Sequence, residues 1–439
     1  MPIAYEKRTL DNGLDVVVHE ERALPIVAVN LWYHVGSKNE RPGRSGFAHL
    51  FEHLMFEGSA HHDRGYFEPL QEIGGVLNGS TSADRTNYWE VVPTGAVDRA
   101  MWLESDRMGF LLPALTEEKF ETQRKVVLNE RRQNYENRPY GLASMALMHA
   151  MYPEGHPYRW LPIGARKDIE QADFDAVREF FSSYYHPANA SLVLAGDIEL
   201  NHGHALAAHY FGDIPAGPPA PALSGLPAAR VEPVRLSLED QVELPRLYLS
   251  WPSPALFGPG DAALDITATI LAGGKSSRLY RELVHTRQIA TDVGAGQGSR
   301  ELSGTFSIVA TAAPGHTLDE LDDVLTTELR RMCDDGPTPD EVARTQTSIE
   351  ADFAYRFQTV GGFGGRSDQL NAYNVYTGDP GYFDADLARY LDLSPDAVRT
   401  VTHRYLAETP AVALSVTPTG SPSSMALAGS EDATARVAD

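Results

Sequence analysis

The sequence predicts an α+β protein built from two homologous domains. Its 439 residues are more than one hydrophobic core usually holds and suggest about 200 residues per domain. Residues 214–233, rich in proline and glycine, are typical of a linker near the middle of the chain. After this stretch the pattern restarts, because VELPRLYLSWPSP echoes the earlier RALPIVAVNLWYHVGS. We therefore predict a domain at residues 1–213, a linker at 214–233, a second domain at 234–420 and a loose tail at 421–439.

The first domain is predicted to open with strands and to continue with helices. LDVVVHE follows a turn signal, Asp-Asn-Gly, and PIVAVNLWYHVGS alternates apolar and polar residues up to Gly36. A helix is predicted next in RSGFAHLFEHLMFEG, with Ser45 as its N-cap and Gly58 as its stop. LNGSTSADRTNYWEVVP has strand character, and a further helix is predicted from residue 116 to about residue 137.

Charge and hydropathy exclude several classes of protein. The formal net charge is −23, with 60 acidic and 37 basic residues, which repels nucleic acid. No apolar run approaches the roughly 18 residues that cross a bilayer. The single cysteine, Cys333, allows no internal disulfide and is expected to be inert. We predict no nucleic-acid partner and no membrane span.

The amino terminus leaves the cellular location open. MPIAYEKRTLDNG contains no apolar segment of the kind found in signal peptides. A lone cysteine is compatible with the cytosol and with exported bacterial proteins. We expect the bacterial periplasm, with a leader removed and a new start methionine added, and keep the cytoplasm as the alternative.

The strongest chemical signal is AHLFEHLMFEGS, residues 48–59, which contains the pattern His-x-x-Glu-His. His49 and His53 are four residues apart and therefore lie on one face of a helix, where both can bind one metal ion at about 2.0–2.1 Å. Glu52 lies on the flank of that face and can act as a general base toward a water on the metal. In a chain with 15 histidines, a chance match has a probability of roughly a few per cent, so the motif is moderately specific. A third ligand is needed, and Glu130 is a candidate, although by itself it reads as a solvated helix carboxylate.

Three segments together resemble the pitrilysin family of inverted-motif zinc peptidases, the inverzincins, which includes insulysin and the mitochondrial processing peptidases. The segments are GRSGFAHLFEHLMFEGS, GGVLNGSTSADRTNYWEVVP and FETQRKVVLNERRQNYENRP. In that family the third zinc ligand is a glutamate in a Val-Leu-x-Glu context, about 76 or 77 residues beyond the second histidine. Glu130 lies in VVLNE, 77 residues beyond His53. The resemblance extends from about Thr9 to the end of the second domain.

The resemblance implies one zinc ion per chain, held by His49, His53 and Glu130, with water in the fourth position and Glu52 as the general base. It also implies that each domain is an antiparallel-rich β-sheet with α-helices packed on one face.

The resemblance further implies that LNGSTS is an edge strand to which a substrate peptide adds as another strand. Asn78, Gly79 and Ser80 would then contact the substrate. From the residues alone, Asn78 reads as an ordinary turn residue after two glycines.

The chain departs from the family pattern in two places. A supporting glutamate seven residues before the third ligand is replaced by Gln123, which leaves the electrostatics behind the zinc site open. Active members also carry an arginine and a tyrosine, seven residues apart, that stabilise the oxyanion from the second domain. Aligned on SSRLY, these positions are Val284 and Thr291, so both groups are missing.

These features predict a zinc endopeptidase subunit that hydrolyses unstructured peptides inside a chamber completed by a homologous partner. The partner of this heterodimer would carry the Arg/Tyr pair, and the isolated chain would hydrolyse peptides poorly. A non-catalytic scaffold and a zinc-dependent peptide-binding subunit of the same fold are the alternatives.

Other histidine and glycine patterns carry no predicted chemistry. The pairs His61-His62 and His202-x-His204 are expected to be solvated. The glycine-rich residues 360–368 lack the lysine of a phosphate loop and are predicted to form a bend or hinge.

Overall fold

The computed structural model describes residues 3–224, 226–229 and 232–437, and its contacts divide the chain into two compact units. Unit 1 comprises Met1–Glu130, Trp160–Gly225 and Asp352–Ala385, and unit 2 comprises Arg131–Arg159, Leu226–Ala351 and Asp386–Asp439. Each unit is therefore discontinuous, whereas the predicted division was contiguous. One segment of each half of the sequence folds into the unit formed mainly by the other half.

Unit 1 contains a six-stranded sheet in the order β1-β2-β6-β3-β5-β4. Its strands are β1 Glu6–Thr9, β2 Asp15–Glu20, β3 Ile26–Tyr33, β4 Val76–Thr81, β5 Thr86–Pro93 and β6 Ala190–Gly196. Only the β2–β6 pair is parallel. Among the described strands, β4 pairs with β5 alone and is therefore an edge strand, with Asn78 opposite Trp89.

Unit 2 repeats this arrangement. Its strands are β7 Val234–Asp240, β8 Arg246–Ser253, β9 Ala290–Gly298, β10 Gly304–Ala312, β11 Val412–Pro418 and β12 Glu431–Asp432. They are ordered β12-β7-β11-β8-β10-β9, so β7, β8, β9, β10 and β11 occupy the places of β2, β3, β4, β5 and β6. The predicted α+β class with two homologous, antiparallel-rich sheets is confirmed.

Helices surround both sheets. The helices in the first half of the sequence are α1 Phe47–Leu54, α2 Phe67–Gln71, α3 Val97–Ala114, α4 Glu117–Arg131, α5 Ala143–Met151, α6 Arg166–Gln171, α7 Phe174–Tyr184 and α8 Leu200–Phe211. Those in the second half are α9 Asp261–Ala272, α10 Leu318–Asp334, α11 Pro339–Arg356, α12 Arg366–Thr377, α13 Phe383–Leu391, α14 Pro395–Thr402 and α15 Thr434–Val437. Short π-helical segments follow α4 and α14, at Arg132–Glu136 and His403–Ala407, and a third spans Tyr280–Thr286.

The sheet of unit 1 is covered on both faces. Alternate residues of β2 point to opposite sides, and Val18 packs beneath α8, where a side chain added at Gly203 would lie 2.9 Å from it. Val17 belongs to the opposite face and shares a buried cluster with Leu370 of α12. The sequence predicted helices on one face of the sheet. In unit 1 that predicted layer corresponds to the helices supplied by the first half of the sequence. α12, from the second half, adds the layer on the other face.

The glycine-rich segment before α12 packs closely on the same sheet. A Cβ added at Gly361 would lie 2.5 Å from Val91 and 2.8 Å from Ala28, and Val360 is buried. Phe363 meets Trp89 edge-on at 5.4 Å. Close packing against β3 and β5 is thus a physical reason for glycine here, besides the predicted hinge.

The described part of the predicted loose tail is ordered against unit 2. β12 pairs with β7, Ala433 donates a backbone hydrogen bond to Ser237 at 2.8 Å, and Leu427 is 3% exposed. The tail's composition suggested disorder, but the unpaired edge of β7 provides partners that the composition could not reveal. Among the described helices, none combines the length and apolarity needed to cross a bilayer.

Candidate zinc centre

α1 is held at its start by groups outside the helix. Gly46 is the N-cap with φ 91°, a left-handed conformation that favours glycine. The Glu40 carboxylate accepts the N–H groups of Gly46 and Ala48, each at 2.9 Å. Ser45, the predicted N-cap, instead donates its hydroxyl to Asp168 at 2.7 Å. The cap prediction was wrong by one residue, because the turn needs a positive φ.

The apolar spacing of α1 determines which side chains remain accessible. One face is buried at the i, i+3, i+4 and i+7 positions, which are Phe47, Leu50, Phe51 and Leu54. His49, Glu52 and His53 therefore lie together on the other side of the helix and are only partly buried.

The structure brings the three predicted ligands together. Glu130 Oε2 lies 3.6 Å from His49 Nε2 and 3.4 Å from His53 Nε2, and one ligand atom from each residue lies within 4.8 Å of the others. Two ligands of a tetrahedral zinc ion, each about 2.1 Å from the metal, are about 3.4 Å apart. The two histidines and the carboxylate therefore fit zinc in donor type and in spacing.

The two histidines differ in their electrostatics. Burial, followed by the charge of His53, lowers the pKa of His49 to about 4. For His53, burial is the largest influence and lowers the pKa, but the Glu130 hydrogen bond and the charge of Glu52 outweigh it and raise the pKa overall. His49 is thus neutral at physiological pH, the form in which imidazole binds a metal.

Glu52 is fixed beside these ligands by the edge strand. Thr81 Oγ1 donates a hydrogen bond to Glu52 Oε2 at 2.7 Å. Burial raises the pKa of Glu52, although the Thr81 hydrogen bond and the charges of His53 and Arg85 oppose the rise. A carboxyl group with a raised pKa is better matched to proton transfer near neutral pH.

Gln123 lies behind the candidate zinc site and contacts Glu57, a residue that the sequence did not single out. The Gln123 amide raises the pKa of His53 as a side-chain hydrogen-bonding group. Its Nε2 donates to Glu57 Oε1 at 2.5 Å. Glu57 lies just beyond α1, and no local pattern showed that α4 would face it.

The edge strand β4 is held firmly beside the site. Asn78 is exposed, and its Oδ1 accepts the Gly79 N–H at 2.8 Å. Arg85 Nη1 donates to the Ser80 carbonyl at 2.9 Å, and Ser80 Oγ donates to Asn87 at 2.6 Å. Arg85 was also missed, because its role depends on the turn that joins β4 to β5.

The two positions aligned with the missing oxyanion groups lie in unit 2. Val284 is in the π-helical segment Tyr280–Thr286 and packs against the apolar core. Thr291 is exposed in β9, and its hydroxyl donates to the Thr311 carbonyl at 3.4 Å. Neither side chain carries the positive charge or the phenol of the family pattern.

The other histidine patterns do not form a metal site. Within residues 3–224, 226–229 and 232–437, His49, His53 and Glu130 are the one group of three potential ligands close enough to share an ion. His61 Nδ1 pairs with Asp106 Oδ1 at 2.5 Å. Cys333 is buried, which raises its pKa to about 11 and agrees with an inert thiol.

Comparisons with known proteins agree with this fold. Residues 16–159 match the family described as insulinase (peptidase family M16), and residues 171–349 match the peptidase M16 inactive domain. The zinc protease PqqE of Helicobacter pylori is 29% identical over 413 residues, which cover 92% of this chain and 91% of that protein.

Two solved structures share the fold. A protease from Helicobacter pylori has a TM-score of 0.85 and 27% identity, and the match covers 95% of this chain and 100% of that one. The periplasmic protease PqqL of Escherichia coli has a TM-score of 0.80 and 17% identity, and the match covers 100% of this chain but 50% of that protein.

A duplicated sheet with an inverted histidine motif on one unit defines a zinc-protease-like protein. This chain belongs to peptidase family M16, the pitrilysin or insulinase family.

Proposed function

We propose that the chain is the zinc-bearing subunit of a metalloendopeptidase that hydrolyses unstructured peptides and requires a homologous partner. The observation that carries the proposal is the convergence of His49, His53 and Glu130, with Glu52 beside them. These three ligands would hold one zinc ion, which when bound polarises a peptide carbonyl and activates water.

Glu52 is the proposed proton carrier. Its carboxylate takes a proton from the attacking water and delivers it to the leaving amine. The Thr81 hydrogen bond keeps one carboxylate oxygen in place during both transfers. Partial burial supports this role, because it raises the proton affinity of Glu52.

The proposed substrate site is the open edge of β4. An extended peptide would add to this edge as a seventh strand of the unit 1 sheet, with main-chain hydrogen bonds near Asn78, Gly79 and Ser80. This mode requires an unfolded substrate, since a folded protein rarely offers a free strand. The position of β4 at the end of the strand order, paired with β5 on one side, supports its other side as the edge to which a peptide adds.

The partner follows from what unit 2 lacks. Val284 and Thr291 cannot replace an arginine and a tyrosine at the oxyanion, and loss of one such donor typically reduces the rate by about 10²–10³. We propose that a homologous subunit supplies both groups. The similar Escherichia coli protein is twice as long as its matched part. This length supports the pairing of two such chains. That Escherichia coli protease is periplasmic, which supports the periplasm as the location of this chain, with the cytoplasm as the alternative.

The missing oxyanion pair favours a second candidate, a zinc-dependent peptide-binding subunit without turnover. Glu52→Gln separates the two functions, because it keeps the shape of Glu52 but cannot accept the proton. We expect the purified variant to retain one zinc per chain by elemental analysis and to lose at least about 10²-fold in cleavage of a quenched fluorescent peptide. Unchanged cleavage would overturn the catalytic role of Glu52.

The partner is tested in the same assay with the product of a neighbouring homologous gene. We expect the mixture to cleave at least about 10²-fold faster than the isolated chain. Equal rates would refute the need for a partner. Zinc and peptide binding without cleavage in either sample would favour the binding subunit.

A further inference from the structure

A carboxylate that is not part of the family pattern lies behind the proposed zinc ligands. In the family pattern a glutamate stands at the position of Gln123, but here that position is an uncharged amide. The Gln123 Nε2 donates to Glu57 Oε1 at 2.5 Å, so a carboxylate lies on the far side of the amide. Both side chains are partly buried, which protects the contact from solvent.

The geometry of His53 determines which atom of Gln123 it needs. His53 directs Nε2 toward Glu130, at 3.4 Å from the carboxylate oxygen, and therefore uses Nε2 as the metal-binding atom. Its Nδ1 then carries the proton and requires an acceptor, as the second nitrogen of a metal-bound histidine usually does. Gln123 acts on His53 as a side-chain hydrogen-bonding group that raises the imidazole pKa, and its amide oxygen is the acceptor available to the imidazole N–H.

An amide side chain can meet His53 with either end. If the NH₂ group faced the imidazole N–H, two donors would oppose each other. Glu57 removes this ambiguity, because a carboxylate accepts hydrogen bonds and therefore attracts the NH₂ group to its own side. The oxygen of Gln123 must then point toward His53.

We propose that Glu57 is a positioning residue of the zinc centre that acts through Gln123. The chain His53–Gln123–Glu57 moves the supporting negative charge one side chain further from the metal than in the family pattern. This inference rests on the proposed zinc site, and it assigns to Glu57 a contribution to metal affinity although Glu57 binds no metal itself.

The chain offers a reciprocal exchange as a test. Glu57→Gln removes the charge that orients the amide, and we expect zinc to bind about 10-fold more weakly. Gln123→Glu places two carboxylates where the 2.5 Å contact now stands, and their repulsion should also weaken binding. The double variant Glu57→Gln/Gln123→Glu restores a carboxylate and an amide in exchanged order, and its zinc affinity should return to within about 3-fold of the original.

The readout is the zinc dissociation constant of the full chain, measured by competition with a chromogenic chelator. The visible spectrum of the cobalt-substituted protein provides a second readout of ligand geometry. Glu117→Gln, which removes the same charge from the exposed start of α4, is the control and should leave both unchanged. Equal zinc affinity of wild type and Glu57→Gln, or no recovery in the double variant, would overturn the positioning role alone. A wild-type chain that binds no zinc would overturn the proposed function as well.

Discussion

Single residues in this protein are positioned by contacts from distant parts of the sequence. The Glu52 carboxylate is held by Thr81, 29 residues later, and Glu130 completes the ligand set from α4. Arg85 adds positive charge near Glu52 from the turn after the edge strand. The candidate zinc site therefore depends on β4 and α4 as much as on the helix that carries the motif.

An ion pair in unit 2 provides a test of pH dependence. The hydrogen bond from Arg278 is the largest influence on Glu341 and lowers its pKa from 4.5 to about 2. A lowered folded-state pKa stabilises the fold above the unfolded value near 4.5, and this stabilisation is lost as the pH falls toward 2. Glu341→Gln should therefore reduce the free energy of unfolding by about 1.5–3 kcal/mol at pH 7 and by less at pH 3.5.

Urea unfolding at the two pH values measures this difference. The pair is largely buried, at 14% and 18% side-chain exposure, so solvent screening should not remove the effect. Glu350→Gln on α11, an exposed carboxylate on the same helix, is the matched control. A penalty for Glu341→Gln that is the same at both pH values would contradict the assignment.

The proposed ligand residues have a signal in the sequence, but the residues that hold them in place do not. His49 and His53 follow from helical spacing, and Glu130 follows from the family pattern. Glu57 and Thr81 have no such signal, because their contacts form only when α4 and β4 pack against α1. Local sequence patterns indicate the periodicity of a helix or strand. They do not indicate which side chains of a neighbouring element that helix or strand will contact.

Among the elements, the edge strand β4 is closely packed at one glycine. A Cβ added at Gly79 would lie 3.1 Å from both Phe56 Cζ and Tyr88 Cδ1. Glycine therefore lets the strand lie close to the aromatic layer at the end of α1. The sequence predicted the strand and its edge position, and the packing explains one of its residues.

Gly79→Ala should move β4 away from the proposed zinc ligands. Crowding of this kind typically costs about 1–3 kcal/mol, and the displaced strand should lower peptide cleavage by the chain mixed with its proposed partner about 10-fold. The matched control is Gly296→Ala in β9, the strand that takes the place of β4 in unit 2, where an added Cβ meets nothing within 4 Å. The prediction fails if both alanine variants lose cleavage equally.

At the scale of the whole molecule, each unit is built from both halves of the chain. α12 lies in the second half of the sequence but covers the sheet of unit 1, and α5 lies in the first half but contacts β8 and β11 of unit 2. Leu370 of α12 and Met151 of α5 are fully buried. The repeat is visible in the sequence through its strand patterns, whereas the exchange of helices between the units has no signal in those patterns.

The exchange of helices between the units predicts which sheet a core substitution will destabilise. Leu370→Ala should cost about 2–5 kcal/mol, and amide hydrogen exchange should quicken first in β2, β3 and β6, although the substitution lies in the second half of the sequence. Met151→Ala is the reciprocal variant and should quicken exchange first in β8 and β11. Faster exchange in the sheet of the same sequence half would contradict the exchanged arrangement.

The exchanged helices also affect the order in which the chain can fold during translation. β6, the last strand of the first sheet, ends at Gly196, whereas α12 ends at Thr377. At ribosomal rates of about 5–20 residues per second, α12 emerges roughly 10 to 35 s after that strand. During this interval one apolar face of the newly made sheet has no covering helix. A nascent chain of this protein should therefore be a client of chaperones that bind exposed apolar surface until α12 has left the ribosome.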